Sequence, residues 1–177
     1  PQLCVVETLF LPQPQPELAE KLGIGADDFV IGFVGRFVEE KGLLPLMKAL
    51  GQLKTHGRGW KCLLLGRGPL KNDLQQQAEA LGLSDRIRWV ESVPHDDVPR
   101  YINLMSTLIL PSETTYKFKT MTAVGWVEQF GHVLIEAMAC QVPVIGSDSG
   151  EIPHVIGDAG LVFPEGNADA LAARIRT

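Results

Sequence analysis

From Phe29 onward, short apolar runs recur along the chain, each closed by a glycine, a proline or a polar loop and most followed by helical spacing. Phe29–Val34 is the first, ending at Gly35 as expected of a strand buried on both faces. Leu44–Lys54 then has the spacing of a helix, with Pro45 acceptable because it falls in the first turn. Lys61–Leu65 predicts a second strand, closed by Gly66-Arg67-Gly68-Pro69, and Leu70–Leu81 a second helix ended by Gly82. The alternation repeats with a strand at Ile87–Val90, a helix over Asp96–Met105 and a strand at Thr107–Leu110, stopped by Pro111. After a polar stretch come a helix over His132–Cys140, a strand at Val142–Ile145 and a short helix near Ile152–Val155. A strand at Leu161–Phe163 and a helix over Ala168–Arg174 close the pattern. Ahead of all this, residues 1–28 are rich in Pro and Gln and weakly periodic, which predicts a leading linker with one short helix near Glu17–Leu22.

Strands alternating with helices predict an α/β fold, a doubly wound, Rossmann-like parallel sheet over residues 29–177. Ligands of such sheets sit beyond the carboxyl ends of the strands, so the loops there carry the search for function. A chain of 177 residues can bury a sizeable core. Its 16 Lys and Arg against 21 Asp and Glu give a net charge of −5, which argues against nucleic acid or anionic membranes as partners. That balance still permits one local anion site. Cys4, Cys62 and Cys140 are scattered and odd in number, and read as buried thiols in a reducing, cytoplasmic setting. No run reaches the roughly 18 apolar residues of a membrane span. The chain opens on Pro1-Gln2-Leu3 without an initiator Met and reads as a piece of something longer.

Three loops hold candidate chemistry. In Gly35-Arg36-Phe37-Val38-Glu39-Glu40-Lys41-Gly42, two cations flank a turn that leads into a helix. Arg offers a planar fork to phosphate oxygens and Lys a point charge. The same cations could equally pair with Glu39 and Glu40 in solvent. The Gly66–Pro69 loop lacks the third glycine of a dinucleotide fingerprint and reads as a tight turn. Glu128 and Glu136, in EQFGHVLIE, frame a break at Phe130-Gly131. A helix starting there presents free N–H groups and the positive end of its dipole, a natural phosphate site. Helical side chains tilt toward the N-terminus, so Glu136 points back to that end while Glu128 approaches from the loop. Spacing alone leaves open whether the two carboxylates hold hydroxyls or merely cap and complement a helix. His56, His95 and His154 read as surface residues, and Ser147–Gly150 lacks the elbow of a hydrolase. That last loop, with Ser149, Gly150 and Glu151, is expected to face the pocket.

IGFVGRFVEEKG, LLLGRGP, LILPS, EQFGHVLIEAMACQVPVIGSDSGEIPHVI and AGLVFPEGNADALA together resemble the C-terminal, donor-binding domain of retaining GT-B glycosyltransferases of family 4. The resemblance runs from about Phe29 to the end. It implies a nucleoside diphosphate sugar as substrate, transfer with retention, and neither metal nor cofactor. Arg36 and Lys41 then correspond to a diphosphate clamp, Glu128 to the first carboxylate of the E-x7-E motif, on the sugar hydroxyls, and Glu136 to the second, on the ribose. Gly35, Phe130, Gly131, His132 and Val133 would line the donor, with Val93 beside the base. Arg36, Lys41 and Glu128 are the implied catalytic set.

Three departures stand out. Gln141 replaces the glycine that usually ends the motif helix, Glu91 stands where the family often has Gly, and residues 113–127 form a longer link, expected as a mobile loop over the donor site. The resemblance also implies an absent N-terminal domain that binds the acceptor. Any peripheral membrane association would come through that half, and this chain alone is expected not to transfer sugar. A role in polysaccharide or glycoconjugate synthesis is the family-level expectation. The alternative of another class is a non-catalytic nucleotide-sugar-binding module.

Overall fold

The structure, a computed structural model, describes residues 8–55, 59–119 and 124–177. Cys4, His56 and Met121 lie outside them. Six parallel strands form the sheet: β1 (Phe29–Val34), β2 (Trp60–Leu65), β3 (Ile87–Val90), β4 (Thr107–Leu110), β7 (Val144–Ser147) and β8 (Gly160–Phe163). Their order is β3-β2-β1-β4-β7-β8. Each strand from β1 to β3 adds on one side and those from β4 on the other, so the winding reverses between β1 and β4. That reversal opens a crevice at the carboxyl ends of these two strands.

Alternate residues of β1 explain its double burial. Ile31 and Phe33 enter one apolar cluster, with Leu46, Met47 and Leu50 of α2 (Leu43–Gln52), Leu74 of α3 (Lys71–Ala80) and Leu171 of α7 (Ala168–Arg176). Val30 enters the other, with Leu108 and Leu110 of β4, Ile102 of α4 (Val98–Ile102), Leu134 of α5 (His132–Ala139) and Ile152 of α6 (Ile152–Ile156). A strand buried on both sides needs apolar residues without a polar face, which is what FVIGFV supplies. The second cluster also takes in Phe10 and Ile24, and Leu18 of α1 (Pro16–Lys21) is buried. The described part of the segment expected as a linker, residues 8–28, thus packs against the domain through its large apolar side chains.

Two expectations need correction. The helix foreseen over Asp96–Met105 starts instead as a 3-10 turn, His95–Asp97, and continues as the shorter α4, whose second residue is Pro99. Proline has no N–H to give to a preceding turn, so it is accommodated only in the first turn of the α-helix, which begins at Val98. The stretch 113–127, expected as a mobile loop, carries an antiparallel hairpin of β5 (Thr115–Lys119) and β6 (Val124–Trp126), with Thr115 opposite Trp126. Threonine, valine and aromatic residues in short alternation favour strands, and that signal was masked by the polar residues between them. A smaller shift affects β7, which starts after Pro143 because proline cannot donate to the ladder.

Gln141 has a left-handed backbone, φ 60°, and is the one non-glycine residue with positive φ among those described. Its N–H bonds Met138 O at 2.9 Å to finish α5, so the conformation is imposed by the helix end. Gln141→Gly is therefore expected to stabilise the domain by about 0.5–1 kcal/mol, the left-handed penalty less the added freedom of the unfolded chain. Thermal unfolding would show it as a rise of roughly 1–4 °C; a fall would mean that the Gln side chain itself matters.

Candidate nucleotide site at the sheet's switch point

The crevice between β1 and β4 is a cavity of about 550 Å³, lined by Val34, Gly35, Lys41, Leu110 and the run from Glu128 to Val133. A second hollow of about 340 Å³ adjoins it at Val34 and Gly35 and is lined by Arg36, Gly66, Arg67, Ser92, Val93 and Val98 among others. Both open where the parallel strands end. Gly131 caps α5 with a left-handed backbone and no side-chain cap, which leaves the N–H groups of the helix's first turn facing the larger cavity. Phe130 and His132 pack their rings together at its mouth, with centroids 4.8 Å apart.

Lys41 and Glu128, 87 positions apart in sequence, meet in the wall of this cavity. Lys41 Nζ donates to Glu128 Oε2 at 2.5 Å, and Ser112 Oγ donates to the same oxygen at 2.8 Å. Their side chains are only 17% and 9% exposed. A carboxylate so enclosed is stable because an ammonium and a hydroxyl replace its water. The Lys41 ammonium also lies 5.2 Å from the Trp126 ring centroid, so the hairpin's aromatic covers it. The hairpin is tied down separately by an ion pair between Lys117 and Glu39. Nearby, burial and then the charge of Glu165 push the Glu113 carboxyl above its ordinary range, against Lys48.

Arg36 behaves differently. Its side chain is 70% exposed and reaches Glu40 only at 3.8 Å, so it can swing to a ligand without breaking a strong bond. The two expected clamp cations thus stand on either side of Gly35, Lys41 on the larger cavity and Arg36 on the smaller. Gly35, Phe130, Gly131, His132 and Val133 line the first and Val93 the second. Arg67 joins Arg36 in the smaller one. Nothing in its local pattern singles Arg67 out, because its loop reads as a turn, and its carbonyl indeed accepts from Phe37 N–H at 2.9 Å. Glu91 turns outward to an ion pair with Lys71 and does not line either hollow.

Glu136 projects from α5, one turn beyond His132, and bonds His95 at 3.2 Å. It does not line the two hollows directly. Its charge helps burial raise the nearby Cys140 thiol above the usual range. Ser149, Gly150 and Glu151, expected to face the pocket, brace it from behind. Glu151 N–H donates to Glu128 O at 3.0 Å, and Ser149 is buried beside Thr114. No cluster of three or more His, Cys, Asp or Glu suited to a metal ion occurs among the described residues. No helix among them is long and apolar enough to cross a membrane.

A doubly wound sheet with a cleft of this size at its switch point, floored by a helix N-terminus and walled by a fixed ammonium, is a Rossmann-like domain with an open site suited to an anion. The chain belongs to the family described as Glycosyl transferases group 1, whose model matches residues 14–177. It is 30% identical over 168 residues to the 2-deoxystreptamine N-acetyl-D-glucosaminyltransferase of Streptomyces fradiae, covering 90% of this chain and 37% of that protein. A GDP-mannose-dependent alpha-(1-6)-phosphatidylinositol monomannoside mannosyltransferase of Mycolicibacterium smegmatis is 28% identical, over 94% of this chain and 43% of its own length. Among solved structures, Anabaena Alr3699/HepE in complex with UDP superposes with a TM-score of 0.79 at 25% identity, covering 96% of this chain and 44% of that one. The chain therefore spans about two-fifths of the length of these three proteins.

Proposed function

We propose that this domain binds a nucleoside diphosphate sugar for a retaining glycosyl transfer, the acceptor being brought by a part of the protein outside this chain. The diphosphate lies over the first turn of α5, against the N–H groups of Gly131, His132 and Val133 and between Lys41 and Arg36. Glu128, already fixed by Lys41 and Ser112, accepts from hydroxyls of the sugar. Glu136 holds the ribose, and the base rests near Val93. The reaction needs no metal and no cofactor, because the cations of the chain and the helix dipole neutralise the diphosphate. As the glycosidic bond to the diphosphate breaks, negative charge grows on the leaving oxygen. Donors fixed there beforehand lower the barrier without reorganising. Relatives named for GDP-mannose and a neighbour holding UDP support a nucleotide donor and leave its base to experiment. We assign the whole protein to hexosyl transfer in polysaccharide or glycoconjugate synthesis, on the cytoplasmic side.

The observation that carries this reading is the convergence of Lys41, Glu128 and the α5 N-terminus in one cavity of about 550 Å³. Titration calorimetry with uridine, guanosine and adenosine diphosphates is expected to show binding of at least one, unchanged by EDTA. The chain alone should not transfer sugar from the matching nucleotide sugars. Failure of all three nucleotides to bind removes the donor-site reading, and robust turnover by this chain removes the requirement for a second part.

A further inference from the structure

The carboxylate assigned to the ribose has a partner from a distant segment. His95 Nε2 stands 3.2 Å from Glu136 Oε1. A carboxylate only accepts, so the imidazole donates through Nε2–H. The far side of that ring meets Phe10 edge-on, with centroids 5.3 Å apart and planes at 61°. Phe10 is buried in the cluster beneath the sheet, so it acts as a fixed stop for the imidazole. Three segments remote in sequence, the stretch before α1, the turn after β3 and helix α5, are thereby joined in one short relay. His95 also follows Val93, which lines the smaller hollow, by two residues, so the relay runs along the edge of the proposed base and ribose site.

A free glutamate side chain has three rotatable bonds and must lose that freedom to hold a vicinal diol. An ionised carboxylate offers about four acceptor sites, of which His95 takes one. Two hydroxyl donors can then bond to it while the imidazole stays in place.

We propose that His95 is a positioning residue for ribose recognition: it fixes the Glu136 carboxylate in the orientation that accepts from the 2′ and 3′ hydroxyls, and Phe10 fixes His95. The inference rests on the reading of Glu136 as the ribose-holding carboxylate, and adds a residue that acts only through it.

The test compares affinities for a ribonucleoside diphosphate and its 2′,3′-dideoxy analogue, using the base of uridine, guanosine or adenosine that binds best. His95→Ala is expected to weaken the ribose form by about fivefold, the equivalent of one ordinary hydrogen bond. The dideoxy form should change by less than about twofold, since the relay has nothing to present to it. His95→Gln, whose amide can donate to the same oxygen, should restore ribose discrimination. Glu136→Ala should abolish discrimination between the two forms, and His95→Ala should then have no further effect in that background. If His95→Ala weakens both forms alike or neither, or if Gln fails to restore discrimination, His95 is not a positioning residue for ribose. If Glu136→Ala leaves discrimination intact, or if no nucleotide binds, the ribose reading itself falls and takes the relay with it. His95 is 60% exposed at its side chain, so loss of the fold is not expected to obscure the comparison.

Discussion

Lys41→Met is expected to lower stability by about 2–3 kcal/mol and to abolish measurable binding of nucleoside diphosphate. The first effect follows from what remains. Glu128 is 7% exposed, and without the ammonium its carboxylate keeps only the Ser112 hydroxyl as a donor. Removing one partner of an enclosed ion pair leaves an uncompensated charge, which is far worse than lacking the pair altogether. Methionine keeps the unbranched stem beside Trp126, so lost packing contributes little. The double variant Lys41→Met, Glu128→Gln should therefore regain all but about 1 kcal/mol, because the buried charge has gone with its partner. Binding should stay absent in both variants, since the diphosphate loses its fixed cation either way. Thermal unfolding would show the single variant roughly 4–12 °C below the parent and the double one close to it. An unchanged melting temperature for Lys41→Met would mean that Glu128 does not depend on Lys41. Restored binding in the double variant would mean that Lys41 matters only for folding.

The Lys41–Glu128 pair also marks the limit of what could be read from the residues in a line. β1, β3 and β4 fall where their apolar runs predict, because each is bounded by a glycine, a proline or a polar turn that the chain cannot continue through. Alternation with helices predicts a parallel, doubly wound sheet, whereas the strand order, and with it the switch point between β1 and β4, comes from the structure. Arg36, Lys41 and Glu128 could be nominated from their places after a strand or before a helix, and Phe130 and Val93 only through the family resemblance. What they bond to could not. Local periodicity carries no information on contacts across 87 positions, so Lys41 and Glu128 read as separate groups, one for phosphate and one for hydroxyls. His95 reads as an ordinary surface histidine for the same reason, its partner Glu136 lying 41 positions away. Phe10 was the one available hint in the leading segment. A single large aromatic among prolines and glutamines has little reason to be there unless something buries it, and the second apolar cluster does. The hairpin's strands are short and polar residues interrupt their threonine, valine and aromatic positions, so only the pairing of Thr115 with Trp126 makes it plain.

Gly150→Ala is expected to cost about 3 kcal/mol or more, although no atom of Gly150 lines the cavity. Its backbone is left-handed, φ +55°, and a Cβ there would sit 2.0 Å from Glu128 O and 3.1 Å from Glu128 N. The left-handed conformation alone costs alanine about 1 kcal/mol. The overlap cannot be relieved by a rotamer, because the obstruction is main chain. Either the turn before α6 moves away, breaking the Glu151 N–H bond to Glu128 O, or Glu128 moves and leaves Lys41 and Ser112. Both routes disturb the wall of the cavity, so nucleotide affinity should fall along with stability. Gly23→Ala supplies the comparison. Gly23 is also left-handed, φ +61°, yet its Cβ would meet only the Arg88 guanidinium at an ordinary 3.5 Å. That variant should lose about 1 kcal/mol, roughly 2–4 °C in melting temperature, and bind nucleotide as the parent does. Equal losses in the two variants would mean that backbone conformation alone governs Gly150. A clear gap, with affinity lost only in Gly150→Ala, would place the turn before α6 among the elements that hold the Glu128 carboxylate in position.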